Sequence, residues 1–220
     1  MPTIADNIAQ IEKGLKQETR LIAVTKTKPE EVLMEAYNAG CKRFGENKVQ
    51  EMTAKYEALP KDIEWHMIGH LQTNKVKYMA PYVTLVHSVD SFKLLKEINK
   101  EAAKNDRIIP CLLQIFIAQE ETKFGLSEEE AREIIASPEL SDLQNICIAG
   151  LMGMASNTED EQVVRAEFKG LNALFESFKS YQNEQVSMQE LSTGMSADYT
   201  IAMEEGSTLI RVGSSIFGSR

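Results

Sequence analysis

The sequence predicts a (β/α)8 barrel, residues 1–220, formed as one domain with an extra helix in front. Strand-like and helix-like patterns alternate along the whole chain, and eight strand-like segments can be counted. No composition break is long enough to be a linker. An open, doubly wound parallel sheet is the alternative that this pattern leaves open.

The first half of the chain begins with a helical stripe. Its apolar members are Ile4, Ile8, Ile11 and Leu15. A first strand follows at about 21–26, and Pro29 then opens a helix at its first helical position, which Gly40 ends. Further strands are predicted at 42–45, 63–69 and 83–87, with helices at 48–58, 73–80 and 92–102.

The second half repeats the scheme with more continuous apolar runs, as is typical of strands that are covered on both faces. Strands are predicted at 108–117, 146–151, 188–192 and 209–213. Two capping boxes, Ser127 with Glu130 and Thr158 with Glu161, mark the start of two helices. The second of these carries a stripe of Val164, Phe168, Leu171, Leu174 and Phe178, and a last helix covers 197–205.

Charge and composition exclude several classes of partner. The net charge of −9 argues against a broad nucleic-acid footprint and against binding to an anionic membrane. No apolar run is long enough to span a bilayer, and the N-terminus lacks the layout of a signal peptide, which predicts a cytoplasmic protein. Cys41, Cys111 and Cys147 are interpreted as reduced core residues, and no cluster has metal-ligand spacing.

Lys26 is the most unusual residue of the predicted strands. Because strand side chains alternate, Lys26 shares the face of Ile22 and Val24 and points toward the core. Burial lowers the pKa of a lysine, and a neutral amine can form a Schiff base with an aldehyde. The alternative is that Lys26 ends its strand and reaches solvent.

Other distinctive residues also follow predicted strands, at the end where (β/α)8 barrels gather functional groups. They are Asn47 after strand two, His70 after strand three, Met152 and Met154 after strand six, Ser192 after strand seven, and Gly213 and Ser214 after strand eight. The last two loops usually bind phosphate, and Ser192, Gly213 and Ser214 suit that role. Arg211 shares the face of Gly213, points inward, and needs a carboxylate or a ligand atom as acceptor.

Several of these residues also have purely structural interpretations. His66 on the third strand is equally explained as a core residue, Asn47 as a helix N-cap, and Met152 and Met154 as space-filling side chains. Ser196 is interpreted as the N-cap of the helix that follows, and the glycines as turn residues. Lys28 is an alternative anchor or a secondary site.

Six segments together resemble the pyridoxal phosphate homeostasis protein family, whose fold is similar to the barrel domain of alanine racemase. They are 23–29 (AVTKTKP), 44–51 (FGENKVQE), 65–75 (WHMIGHLQTNK), 150–152 (GLM), 191–198 (LSTGMSAD) and 211–218 (RVGSSIFG). Two departures are Thr25, where serine is common, and His70, where proline or asparagine is frequent.

The resemblance implies that Lys26 holds pyridoxal 5'-phosphate (PLP) as an internal aldimine. It implies that Ser192, Gly213 and Ser214 grip the phosphate and that Arg211 faces the pyridine nitrogen. Asn47, His66 and Met152 complete the expected cofactor site, and no catalytic residue and no metal are expected.

The resemblance favours a cytoplasmic protein without robust turnover that binds, buffers or delivers PLP, a monomer or weak dimer whose further partners would be apo forms of PLP-dependent enzymes. The alternatives are a small racemase-like PLP enzyme and a cofactor-free Schiff-base aldolase. Racemisation needs a second acid/base, which similar racemases take from a further domain. Because the sequence ends at Arg220, that domain is expected to be absent, and Tyr199 is the tyrosine nearest in sequence to the phosphate loops.

Overall fold

Eight parallel strands close into a barrel in chain order, with β8 paired to β1. The structure is a computed structural model that describes residues 2–119 and 124–218. The closing register joins Arg20 to Leu209 and Ile22 to Arg211. The predicted (β/α)8 barrel is therefore confirmed, and the open sheet is wrong.

The strands and helices alternate as predicted. The strands are β1 Arg20–Val24, β2 Arg43–Glu46, β3 Glu64–Met67, β4 Leu85–Val89, β5 Ile109–Ile115, β6 Ile146–Gly153, β7 Val186–Ser192 and β8 Leu209–Val212. The α-helices are α1 Ile4–Lys13, α2 Glu30–Asn38, α3 Val49–Ala58, α4 Val76–Met79, α5 Phe92–Ala103, α6 Glu128–Ala136, α7 Glu161–Phe178, α8 Tyr199–Glu204 and α9 Ser214–Phe217. Short 3-10 helices cover Thr73–Lys75, Pro138–Asp142 and Lys179–Tyr181.

Helix starts are the least accurate part of the prediction. The Ser127 and Glu130 capping box is present, whereas α7 is capped by Asp160 instead of Thr158. Pro29 is the N-cap of α2, not its first helical residue. Asp198 precedes α8, so the assignment of Ser196 as N-cap is wrong. Short polar side chains near a helix start compete for this position, and sequence spacing alone does not decide which one wins.

The barrel has two buried apolar layers. Outward-facing strand residues pack under the helices in one large cluster that includes Trp65. Trp65 is fully buried with its ring edge-on to Phe44 at 5.9 Å, and its indole N–H has no hydrogen-bond partner among the described residues. The second layer fills the barrel interior with Ile22, Leu85, Leu112, Met152 and Leu209.

The cysteines behave as core thiols. Cys41 and Cys111 are buried, Cys147 is partly buried, and none of the three forms a disulfide. Burial raises the pKa of all three thiols, that of Cys41 to about 11. Within 2–119 and 124–218, no group of side chains could hold a metal ion, and no helix is both long and apolar enough to cross a membrane.

Candidate functional site

A cavity of about 340 Å³ opens at the carboxyl end of the barrel, between the ends of β1 and β8 and the loop after β7. Its walls are formed by Val24, Lys26, Thr27, Lys28, Met195, Ser196, Ala197, Arg211, Gly213, Ser214 and Gly218. The volume lies in the range of small-molecule sites. Four of the eight predicted site residues, Lys26, Arg211, Gly213 and Ser214, therefore meet in one place.

Lys26 lies in a tight turn directly after β1. The strand ends at Val24, two residues earlier than predicted, and Lys26 is partly buried. Its side chain lines the cavity together with Val24, Thr27 and Lys28, so the turn after the strand, and not strand alternation, brings Lys26 to the cavity. Lys26 therefore lines the cavity, and its role as the covalent anchor stays a prediction.

Arg211 is a buried cation at the inner end of the cavity, where it is only 4% exposed. Its guanidinium donates to Ser192 Oγ at 2.5 Å and to the Gly153 carbonyl oxygen at 3.1 Å, so both acceptors are neutral. No salt bridge to Arg211 is present among the described residues. Burial lowers the pKa of Arg211 to about 10, so the side chain stays protonated at neutral pH.

Behind Arg211, a line of hydrogen bonds crosses the barrel interior. Ser192 Oγ lies 2.9 Å from His87 Nδ1, and His87 Nε2 lies 2.9 Å from His66 Nδ1. Burial holds the pKa of His66 at about 3 and lowers that of His87 well below its ordinary value, so both rings are neutral.

Arg211 can only donate, so Ser192 Oγ accepts from it, whereas the direction of the other two bonds depends on the histidine tautomers. If Ser192 donates to His87 Nδ1, His87 carries its proton on Nε2 and donates to His66 Nδ1. His66 Nε2 has no partner among the described residues, so the line of hydrogen bonds starts at the cavity and ends inside the barrel.

Two backbone N–H groups converge on one oxygen beside Gly213. Ser196 Oγ accepts from Gly213 N at 3.2 Å and from Ser215 N at 3.3 Å. Ser196, interpreted from sequence as a helix cap, thus joins the loop after β7 to the loop after β8. Ser214 is exposed beside this pair and contributes a hydroxyl to the cavity wall.

The other four predicted site residues do not line the cavity. Ser192 is fully buried and bonded to Arg211 and His87, so its predicted contact with phosphate is not supported by this arrangement. His66 lies deeper in the barrel, and Met152 fills the apolar interior. Asn47 follows β2 at the same end of the barrel, but it does not cap α3, whose N-cap is Lys48.

Sequence reasoning missed two sets of buried polar residues near the site. The sequence analysis assigns no role to His87 on the fourth strand, although His87 lies on the same inward face as Leu85. Glu46, at the end of β2, and Lys55, on α3, form a buried ion pair at 2.7 Å. The sequence does show that an acidic residue, Glu46, directly follows the predicted second strand. Its partner Lys55 lies nine residues later, and no sequence pattern connects the two.

Comparison with known proteins places these features in a family. The family model described as alanine racemase, N-terminal domain, matches residues 1–220. A pyridoxal phosphate homeostasis protein from Aquifex aeolicus is 42% identical over 91% of this chain and 87% of its own length.

Solved structures agree with this result. PipY from Synechococcus elongatus with PLP bound is 35% identical, with a TM-score of 0.87 over 98% of this chain and 100% of its own. An alanine racemase from Bartonella henselae, 16% identical with a TM-score of 0.73, shares the fold, and this chain covers 58% of it. By full-length similarity in sequence and in structure, the chain belongs to the pyridoxal phosphate homeostasis protein family, within the group defined by the alanine racemase N-terminal domain.

Proposed function

We propose that this protein binds pyridoxal 5'-phosphate in the cavity at the carboxyl end of the barrel and acts in intracellular vitamin B6 homeostasis. One observation carries the proposal: the buried guanidinium of Arg211, whose acceptors among the described residues are all neutral, lines the same cavity as Lys26. A buried charge without a counter-ion is costly, so the site favours a ligand that brings negative charge or an acceptor atom.

The donor set fits the cofactor. PLP supplies an aldehyde that condenses with an amine, a phosphate dianion, and a ring nitrogen that can accept a hydrogen bond. Lys26 offers the amine for covalent attachment. The Ser214 hydroxyl lines the cavity beside the N–H groups of Gly213 and Ser215, which donate to Ser196 Oγ in this structure and would become donors to an anion that displaces this hydroxyl.

Arg211 would keep the ring nitrogen of a bound PLP unprotonated. Its guanidinium stays protonated at neutral pH. A second positive charge within hydrogen-bond distance is disfavoured in a buried site, so a ring nitrogen facing Arg211 stays unprotonated. A protonated ring nitrogen makes the stronger electron sink, so this arrangement disfavours carbanion chemistry.

Within the part of the chain that the structure describes, the cavity wall also lacks the tyrosine that similar racemases use as a second acid/base. Its described residues include two lysines and one arginine, but no tyrosine, histidine, cysteine or carboxylate. Tyr199, the tyrosine nearest in sequence, packs against the apolar core instead. Losing one well-placed proton-transfer group typically costs about 10²–10⁴-fold in rate. We therefore propose a binding protein without robust turnover, which buffers PLP or delivers it to apo-enzymes.

Reduction with borohydride after PLP is added tests the anchor. We expect one pyridoxyl adduct per chain, on Lys26, located by mass spectrometry of the peptides. Lys28 also lines the cavity, with its ammonium 3.3 Å from the Phe217 carbonyl oxygen, and provides the matched control. Lys28→Ala should keep the adduct and Lys26→Ala should lose it, whereas an adduct found on Lys28 alone would refute the assignment.

Turnover is tested with the PLP-loaded protein and a panel of L-amino acids. We expect the formation of D-isomers and keto acids to stay at the level of a Lys26→Ala control, because no tyrosine, histidine, cysteine or carboxylate lines the described cavity. Robust turnover that depends on Lys26 would instead establish a racemase-like enzyme. A protein that reacts with aldehyde substrates but takes up no PLP would favour the aldolase alternative.

A further inference from the structure

Three charged residues form a buried cluster behind the turn that carries Lys26. Lys55 Nζ lies 2.7 Å from Glu46 Oε1 and 2.7 Å from Glu51 Oε1. The side chains of Glu46, Lys55 and Glu51 are 0%, 6% and 25% exposed. A buried ion pair contributes little net stability, because desolvation offsets most of the attraction. This Glu46, Glu51 and Lys55 cluster is therefore poorly explained by stability alone.

Every member of the cluster bonds to a residue next to Lys26. Lys55 Nζ donates to the Thr25 carbonyl oxygen at 2.9 Å, and Thr25 Oγ1 donates to Glu46 Oε1 at 2.6 Å. On the other side of Lys26, the Thr27 N–H donates to Glu51 Oε1 at 2.6 Å. The cluster thus holds the chain immediately before and immediately after the lysine.

The held turn has a strained backbone. Thr27 has a φ of +64°, one of two non-glycine residues with positive φ in the described chain. For a β-branched residue this conformation is unfavourable and persists only where the surroundings enforce it. The turn is closed by the Lys28 N–H, which donates to the Thr25 carbonyl oxygen at 3.1 Å, and the charge-assisted bond from the Thr27 N–H to Glu51 is a second contact that holds it.

We propose that the Glu46, Glu51 and Lys55 cluster is a positioning device that fixes the Lys26 turn and aims its amine into the cavity. This inference rests on the proposed function, because it assigns the cluster to the covalent anchor. The proposal assigns a role to Glu46 and Glu51 in the segment 44–51 (FGENKVQE), in which only Asn47 was expected to contact the cofactor. Glu46 acts through the Thr25 hydroxyl, Lys55 through the Thr25 carbonyl oxygen and Glu51 through the Thr27 N–H. None of the three lines the cavity.

Glu51 is the best position for a test, because it is partly exposed and can be truncated with little risk to the core. Glu51→Ala removes the acceptor for Thr27 N–H, whereas Glu51→Gln keeps an amide oxygen in its place. Glu57→Ala, an exposed position on the same helix, is the matched control. Thermal unfolding of each variant shows whether the fold is kept.

Two measurements on the full chain separate positioning from stability. PLP titration, followed at the Schiff-base absorbance, should show about ten- to hundredfold weaker binding for Glu51→Ala. Glu51→Gln should regain most of that loss, and Glu57→Ala should match the wild type. In the cofactor-free protein, amide hydrogen exchange at Thr27 should be faster in Glu51→Ala than in Glu57→Ala.

The outcomes distinguish this inference from the proposed function. If the wild type takes up no PLP, the proposed function fails, while exchange at Thr27 still reports whether the cluster holds the turn. Unchanged affinity and unchanged exchange in Glu51→Ala would overturn the positioning role. Equal losses in Glu51→Ala and Glu57→Ala would overturn it too, since they would show a general loss of stability.

Discussion

Arg211 shows what a single buried residue can specify. A buried arginine was expected to need a carboxylate or a ligand atom, and the structure gives it a hydroxyl and a carbonyl oxygen instead. These neutral acceptors bond two of its five N–H groups and do not cancel its charge. The positive potential that remains acts on the cavity and on Ser214 beside it.

Ser214→Asp should weaken PLP binding by about tenfold or more. A carboxylate at this position would face a phosphate dianion in a partly desolvated cavity, where like charges repel more strongly than in water. Titration of the wild type and of Ser214→Asn, which has nearly the same size without the charge, gives the comparison. Equal affinities for the aspartate and asparagine variants would show that the phosphate lies elsewhere.

Single elements differ in how far the sequence determines them. Alternation along β8 predicts that Arg211 points inward, because strand geometry is local, whereas Lys26 reaches the cavity from the turn after β1. The same alternation was available for Leu85 and His87, but the bond from His87 to Ser192 joins residues 105 positions apart. Tertiary partners of this kind leave no periodic signal, which is why the buried histidines and the Glu46, Glu51 and Lys55 cluster were not predicted.

The β6 and β7 strands approach each other closely at Gly150. A Cβ on Gly150 would lie 1.8 Å from the Glu190 carbonyl oxygen, and Gly150 has a φ of +153°. Gly150→Ala should therefore lower the free energy of unfolding by about 3 kcal/mol or more, because the strands must separate locally.

Urea denaturation measures this change, and α7 offers a control for it. Gly170 is exposed within α7, and a Cβ there would meet nothing within 4 Å. Gly170→Ala should raise the free energy of unfolding by about 0.5–1 kcal/mol, since alanine is the better helix former. If Gly150→Ala is as stable as the wild type, the described approach of β6 to β7 is incorrect.

For the whole molecule, closure of the barrel creates an interior with a polar and an apolar part. His66, His87, Ser192 and Arg211 form a connected line of polar groups, next to the apolar cluster around Leu112 and Met152. Both histidines are buried, so a proton added to either ring would place a desolvated charge inside the barrel. The stability of the fold should therefore depend on pH.

The free energy of unfolding should fall as the pH drops below about 6.5. Both histidines have a lowered pKa in the folded state, to about 3 for His66, so the unfolded chain binds more protons between these values. The stabilising contribution is complete above pH 6.5 and is lost toward pH 3, at roughly 1.4 kcal/mol per pH unit for each histidine.

Urea denaturation between pH 7 and pH 5 measures this slope. The third histidine, His70, is half-exposed and lies 3.1 Å from Asp90, outside the polar line, so His70→Asn should keep the slope. His66→Phe combined with His87→Leu should flatten it. A wild-type protein with equal stability at pH 7 and pH 5 would contradict the neutral, buried state of the pair.

The lone tryptophan of the chain makes the barrel wall an optical reporter. Trp65 lies in dry surroundings with its N–H unpaired among the described residues, so its emission should be shifted to the blue in the folded protein and should move to the red on unfolding. The adjacent residue, His66, points into the barrel on the other face of β3. A PLP Schiff base absorbs where indole emits, so loading of the cavity should quench Trp65 by energy transfer, and both folding and occupancy can be followed without any added label.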